Sequence, residues 1–335
     1  VCVKVTDTAG LSFDKTLTVN ISDVNEAPAI TSSVIAAINQ DNLYNYTLGA
    51  TDAEGDALSW GIKSGESLPS WLALDSTAPE FELVGAAGFS VGNAGYTSLA
   101  LDSADTPYVA YRDNDNDSKA TVMKYDGSAW VLVGGAGFSA GNSYFISLAL
   151  DNTDTPYVAY TDNANGNKTT VMKYDGSAWV VVGVAGFGTG GAYYTSFVLD
   201  SAGTPYVAYQ DAANNNKATV MKYNGTAWVV VGTAGFSTGQ AYYISLALDS
   251  AGMPYLSYKD SNNNYKATVM SYNGSAWVTV GAAGFSAGTA GFTSLKFNSA
   301  GTPYLAYQDA ANSNKATVMK YNGTAWVVVG IAGFS

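Results

Sequence analysis

Residues 131–179 read VLVGGAGFSAGNSYFISLALDNTDTPYVAYTDNANGNKTTVMKYDGSAW, and this unit recurs at a fixed interval through the last three quarters of the chain. Its closing tryptophan marks the phase: Trp130, Trp179, Trp228, Trp277 and Trp326 are 49 residues apart, and Phe81 holds the same phase one period earlier. A period of roughly 40 to 50 residues belongs to propellers and solenoids, in which one unit cannot bury its apolar face without a neighbour.

Working outward from the quoted unit, four short runs alternate in strand fashion: WVLVG, ISLALD, PYVAYTD and TTVMKY. They are separated by an AGFS loop, a D-x-x-(D/G)-T turn, an Asn-rich tip and a YDG or YNG turn. Asp-Gly and Asn-Gly supply the positive φ that tight hairpins need. Four strands per unit are what a propeller blade requires. Five copies end at residues 130, 179, 228, 277 and 326, and a sixth begins at VVVGIAGFS. The spacing leaves open whether five blades close with one strand left over or a longer array continues. Alternation puts Leu99 with Leu101, Val109 with Tyr111, and Thr121 with Met123 and Tyr125 on strand faces that should pack blade against blade. Each tryptophan follows a tight turn at a strand start, which points to an anchor between blades rather than an exposed stacking platform.

Composition bounds the rest. The chain has 335 residues, 47% of them hydrophobic, with 24 Tyr and 36 Gly and no sustained helical period, so an all-β protein with almost no helix is expected. A net charge of -12 opposes nucleic acid and anionic lipid and suits a cation better. Cys2 is the single cysteine, so no internal disulfide forms. No apolar run is long enough to insert in a membrane. Val1 falls within a strand-like run and Ser335 within the recurring AGFS loop, so both ends read as cut, and the missing leader says nothing of secretion.

Two further regions precede the array of residues 81–335. Residues 1–27 contain TDTAG and then KTLTVNIS, with Leu17, Val19 and Ile21 on one face, followed by DVNEAP. This resembles the C-terminal part of a cadherin-like repeat with its linker. Residues 28–80 contain TDAEGDALSW and LPSWLALD, which resemble the bacterial dystroglycan-type cadherin-like, or Ig-like, domain. Together these resemblances cover about a quarter of the chain. They imply sandwich segments and calcium shared across the junction by Asp7, Asp23, Asn25, Asp52 and Glu54, since Ca2+ takes six to eight hard oxygen ligands. Glu26 and Ala27 depart from the animal linker pattern, and a polar turn with an ordinary linker explains the same residues. The array itself resembles kelch and other short-repeat propellers.

The blade tips hold the recurring polar residues. Asp113, Asp162, Asp211, Asp260 and Asp309 share one phase, each followed six residues later by Lys119, Lys168, Lys217, Lys266 or Lys315. They read either as equivalent ligand sites, for calcium or glycan hydroxyls, or as hairpin tips of structural purpose. The RDNDNDSK stretch lacks the Gly and Glu of an EF-hand loop. The absence of histidine removes His-based nucleophilic machinery, Arg112 is the single arginine, and near-identical blades argue against one asymmetric active centre. The sequons at Asn224, Asn273 and Asn322 fall in the YNG turns.

The expectation from sequence is therefore an all-β chain: partial cadherin-like and Ig-like β-sandwich segments followed by a β-propeller of about five four-stranded blades. Its expected role is non-enzymatic extracellular adhesion or display at a cell surface, with calcium as cofactor and a surface protein or glycan as partner. The alternative is a multivalent lectin with one site per blade.

Overall fold

The computed structural model describes residues 83–334 and, before them, the backbone of four short strands. Contacts divide the chain into two units, Val1–Glu82 and Leu83–Ser335. In the first unit Cys2–Thr6 pairs antiparallel with Ser12–Thr16, and Ala29–Ile30 with Ala50–Thr51. Leu17, Val19 and Ile21 of the expected strand lie outside the described residues, as do the calcium candidates Asp7, Asp23, Asn25, Asp52 and Glu54.

The second unit is five antiparallel four-stranded sheets, each with its strands in chain order, a β-propeller arrangement of five blades. Blade 1 comprises Ala94–Leu101, Pro107–Asp113, Lys119–Tyr125 and Trp130–Leu132. Blade 2 comprises Ser143–Leu150, Pro156–Asp162, Lys168–Tyr174 and Trp179–Val181. Blade 3 comprises Ala192–Leu199, Pro205–Asp211, Lys217–Tyr223 and Trp228–Val230. Blade 4 comprises Ala241–Leu248, Pro254–Asp260, Lys266–Tyr272 and Trp277–Thr279. Blade 5 comprises Ala290–Phe297, Pro303–Asp309, Lys315–Tyr321 and Trp326–Val328. First strands of successive blades abut one another, so they are innermost and the tryptophan strands are peripheral.

The turns follow from side chains that satisfy the backbone locally. Between first and second strands, Asp102 Oδ1 accepts from the N–H groups of Ala104 and Thr106, and Asp105 takes the left-handed conformation that Gly203, Gly252 and Gly301 take in later blades. Between third and fourth strands, Asp126 accepts from Ser128 and Ala129, and Gly127 follows at φ 96°. Asn224, Asn273 and Asn322 accept the same bonds in blades 3 to 5, which accounts for the YNG sequons as turn chemistry. The one helical element per blade is a single 3-10 turn at the tip, such as Asn163–Asn165.

Blades are joined by a repeated seam. One face of blade 1 (Tyr108, Ala110, Ala120, Val122) packs on the opposite face of blade 2 (Ile146, Leu148, Val158, Tyr160, Met172), and three equivalent clusters follow. Each buried large side chain contributes about 1.5 to 3 kcal/mol of transfer free energy. The serine of the SLAL motif reaches across: Ser98, Ser147, Ser196 and Ser245 accept from the N–H of the next blade's Leu148, Phe197, Leu246 and Leu295 at 2.9–3.1 Å. The tryptophans also anchor the seam. Trp179 Nε1 donates to the Val133 carbonyl at 2.8 Å while its ring stacks on Phe138 of the AGFS loop at 4.2 Å. Gly134, at φ 76°, lies under that indole, where a Cβ would fall 2.9 Å from Tyr174 and 3.1 Å from Trp179.

The two ends of the array differ from its interior. Leu99 and Leu101 are 65% and 54% exposed, against 6%, 2% and 0% for Leu148, Leu246 and Leu295. The period assigned their strand face correctly, but no described blade covers it. At the far end Phe334 is 60% exposed, because no following tryptophan stacks on it as Trp326 does on Phe285. Ala306 and Val318, whose counterparts Ala110, Val122, Ala208 and Val220 are fully buried, are half-exposed. Neither of these outer faces is covered by another described blade.

Candidate functional site

The recurring tip aspartates lie inside the blades. Asp113, Asp162, Asp211, Asp260 and Asp309 are only 1–4% exposed. In blade 3, Asp211 caps the 3-10 turn by accepting from the Ala213 N–H, and its other oxygen accepts from Asn214 Nδ2 and Thr219 Oγ1, both at 2.9 Å. The Thr219 hydroxyl in turn accepts from the N–H of Gly235 in the AGFS loop. The same bonds recur in every blade. The aspartates therefore knit the tip to the loop that enters the next blade, and their carboxylates face inward rather than toward solvent. The lysines six residues on sit opposite them in register, as Lys217 does Asp211. The aspartates also bear on buried tyrosines: burial, then the Asp113 charge, pushes the Tyr111 hydroxyl up to about 12, and Tyr160, Tyr209, Tyr258 and Tyr307 are raised for the same reasons. Among the described residues no group of three or more acidic or thiol side chains is placed to hold a metal.

A second feature, not singled out from sequence, runs along the innermost strands. The first strand of each blade carries a bulge, with Tyr194 and Thr195 opposite Tyr209 in blade 3. The leading bulge residue is aromatic every time: Tyr96, Phe145, Tyr194, Tyr243 and Phe292, all at φ 49–52°. Left-handed backbone is rare for aromatic residues and costs about 1 kcal/mol or more at each position. Their rings form a continuous stair. Tyr96, Phe145, Tyr194 and Tyr243 follow one another at 5.1 Å between centroids, and Phe292 follows at 4.5 Å. A second row, Tyr144, Tyr193 and Tyr242, meets the stair edge-on at 5.9–6.3 Å. Tyr96, Tyr193 and Phe292 are exposed and the others half-buried.

One variable position of the second strand lies beside this stair, occupied by Arg112, Thr161, Gln210, Lys259 and Gln308, of which Thr161 and Gln210 are buried. Thr161 and Gln210 donate to the carbonyls of Ala192 and Ala241 in the next blade. Tyr242 donates its hydroxyl to Gln240 Oε1. The signal was present in the sequence as a second aromatic phase in YTSLAL, FISLAL and YYTSFVL, masked by the strand alternation around it.

Two shallow grooves elsewhere are less suited to a repeated site. One of about 620 Å³ runs beside Phe187, Tyr223, Thr226 and Trp228, but the Trp228 N–H and one ring face are already engaged by Val182 and Phe187. The other, of about 450 Å³, is lined by Tyr108, Lys124, Asp154, Lys173 and Asp175. Asp154 there is tied to Ser103, and its counterparts in later blades are glycines, so this groove is particular to blades 1 and 2.

No family model and no curated protein matches the chain. Solved structures do resemble it in fold. AofleA from Arthrobotrys oligospora aligns with a TM-score of 0.54 at 12% identity, over 74% of this chain and 73% of that one. The Aleuria aurantia lectin, as an N224Q mutant in complex with Fucα1-6GlcNAc, aligns at 0.50 and 15% identity, over 70% and 78%. A thermostable family-43 glycoside hydrolase aligns at 0.46 and 11% identity, over 72% and 94%. The first two likenesses show the propeller fold. The hydrolase corrects the expectation of a non-enzymatic chain: the similar solved structures include an enzyme, and near-uniform blades with no histidine do not exclude catalysis. The cadherin-like, Ig-like and kelch resemblances find no match.

Proposed function

We propose that the blade array binds carbohydrate, with sugar rings stacking on the aromatic stair of the innermost strands. The observation that carries this reading is the same left-handed aromatic in all five blades. Backbone strain maintained at one position in every copy points to a use for the ring that fills it. Aromatic faces flanked by hydroxyl, amide and cationic side chains are the usual composition of a sugar-binding surface. Similarity of fold to the Aleuria aurantia lectin, whose structure contains a fucosyl disaccharide, agrees with the class of ligand. Repetition along the arc gives multivalency, which raises avidity for a glycan chain without new contacts. Adhesion at a cell surface is the biological role that such multivalent binding would serve.

The test is calorimetric titration of oligosaccharides into the full chain and its Tyr194→Gly and Tyr243→Gly variants. Glycine removes the ring and relieves the left-handed backbone, so folding is retained while the stacking surface is lost. Loss of one ring should weaken binding about two- to tenfold, matching the roughly 0.5 to 1.5 kcal/mol of an aromatic contact. Unchanged affinity in both variants would remove the stair from the reading.

A further inference from the structure

Within near-identical blades, the second-strand position beside the aromatic stair is varied, and two of its five occupants are cations. Arg112 holds its guanidinium carbon 5.4 Å from the ring centroids of both Tyr96 and Tyr144, the latter in the next blade. Lys259 places its ammonium 5.7 Å from the Tyr243 ring and 5.2 Å from the Tyr265 ring. Both side chains are half-exposed, and the rings hold each in place by cation–π attraction.

Neither cation has an acidic partner within 4 Å among the described residues. Arg112 gives its Nε–H to Asn114 Oδ1 at 3.2 Å, and its Nη groups have no partner there. The Lys259 ammonium makes no hydrogen bond or ion pair among these residues, its backbone alone being paired in the sheet. Of the three acids of the blade 1 tip, Asp117 is turned to Lys119 at 3.9 Å, Asp113 accepts from Asn116 and Thr121, and Asp115 makes no ion pair with Arg112. The lysines on the other side of the blades differ: Lys124 and Lys173 lie close enough to Asp102 and Asp151 to help hold those carboxyls below their usual range. On a chain of net charge -12, cations without carboxylate neighbours beside aromatic faces are suited to an anion that arrives with the ligand.

We infer that Arg112 with Tyr96 and Tyr144, and Lys259 with Tyr243 and Tyr265, are two subsites for acidic sugars, in which a ring stacks and its carboxylate or sulfate meets the cation. This rests on the carbohydrate reading above and narrows it to acidic polysaccharide. The planar guanidinium can accept a carboxylate through two parallel N–H bonds, whereas the ammonium acts as a point charge. At the same position of the remaining blades Thr161 and Gln210 are buried and turned to the next blade, and Gln308 is exposed and neutral.

The experiment titrates three probes of equal length into the full chain: an oligogalacturonate, a sulfated galactose oligomer and a neutral galactose oligomer. The variants are R112Q, K259Q and their combination, which import the residue that blades 3 and 5 already carry, so the fold accepts them. At least one acidic probe should bind at least tenfold tighter than the neutral one, lose about tenfold or more in the double variant, and weaken with added salt. The acidic probe that responds identifies carboxylate or sulfate as the anion. Binding of the neutral probe as tight as that of both acidic ones, or acidic binding unchanged in the double variant, would overturn the subsites and leave stacking on the stair intact. Binding of none of the three would overturn both the subsites and the carbohydrate reading.

Discussion

Truncating one leucine position in two blades tests whether the array is an open arc. Leu246 lies in the seam between blades 3 and 4 and is 2% exposed; Leu99 holds the same position in blade 1 and is 65% exposed. Leu246→Ala removes a fully buried side chain from a seam that also contains Tyr206, Ala208, Val220 and Leu256, so a cavity remains. The expected loss is about 2 to 5 kcal/mol. For Leu99 about a third of the side chain is buried, so the transfer term is about 0.7 kcal/mol of a full ~2, and no cavity forms because one side is solvent. The difference between the two variants is therefore about 1 to 4 kcal/mol. Urea unfolding followed by tryptophan fluorescence reads it as a shift in midpoint, provided the slopes agree. Leu148→Ala, in the first covered seam, should behave like Leu246→Ala. Equal losses for Leu99 and Leu246 would show that the blade 1 face is covered in solution and that the arc is closed or capped.

Other outcomes follow from the same geometry. Asp211→Ala should cost about 3 kcal/mol or more in urea unfolding, since it strands the Ala213 N–H, Asn214 amide and Thr219 hydroxyl; a loss under about 0.5 kcal/mol would contradict the internal role of the tip carboxylates. Gly183→Ala should cost about 2 kcal/mol, because φ is 77° and the new Cβ would fall 2.8 Å from Tyr223; a neutral result would show that the indole seat relaxes freely. Backbone and side-chain bonds from Ala129 and Ser128 lower the Asp126 pKa, so that turn is stabilised above pH 3.8 and loses the support as pH falls through the lowered value. Amide exchange at acid pH should then loosen the turns of Asp126 and Asp175 but not those of Asn224, Asn273 and Asn322. At the alkaline end, the raised tyrosines favour the native state below pH 10 and lose that contribution as pH rises toward about 12, so the share of tyrosinate absorbance due to buried tyrosines such as Tyr111 and Tyr160 should appear together with unfolding rather than before it. Calcium titrated into the metal-stripped chain should bind with an affinity that falls when Asp23 and Asp52 are replaced by alanine; an unchanged isotherm would dismiss the junction proposal.

The repeat made the blade legible because its constraints are local and periodic. Asp-Gly and Asn-Gly fix the hairpin, D-x-x-(D/G)-T fixes the preceding turn, and each is satisfied within four residues of itself. The tryptophan's packing role was legible from its place at a strand start, although its partner, the Val133 carbonyl for Trp179, lies 46 residues away. The fate of the tip aspartates was not legible, because Asp, Asn and Lys around a tip read alike whether the carboxylate faces solvent or the Thr219 hydroxyl. Only the register, which sets Tyr209 and its neighbours around the carboxylate, decides that. The aromatic stair was hidden for a different reason: a bulge interrupts the two-residue period, so Tyr194 sits on neither face that alternation assigns. Exposure of Leu99 could not be read at all, since it depends on whether a neighbouring blade exists rather than on the residue.

The division of labour inside one blade also explains where its sequence is free to vary. Buried seams demand identical partners, because every blade presents one face to a predecessor and the other to a successor, and a change in either must be matched across the interface. Tyr209, Val207 and Met221 are thus repeated almost unchanged as Tyr258, Leu256 and Met270. The outer turns are held by a side-chain oxygen that Asp or Asn supplies, and vary only between those two and between Ser and Thr. The position beside the stair admits Arg, Thr, Gln and Lys on the same backbone: Arg112 and Lys259 are half-exposed and Gln308 is exposed, whereas Thr161 and Gln210 are buried against the next blade's first strand. Under the proposed carbohydrate reading, a repeat array that must keep its seams uniform would distinguish ligands by varying this one residue per blade, and Arg112 and Lys259, three blades apart, would set the spacing of charge on a matching polysaccharide.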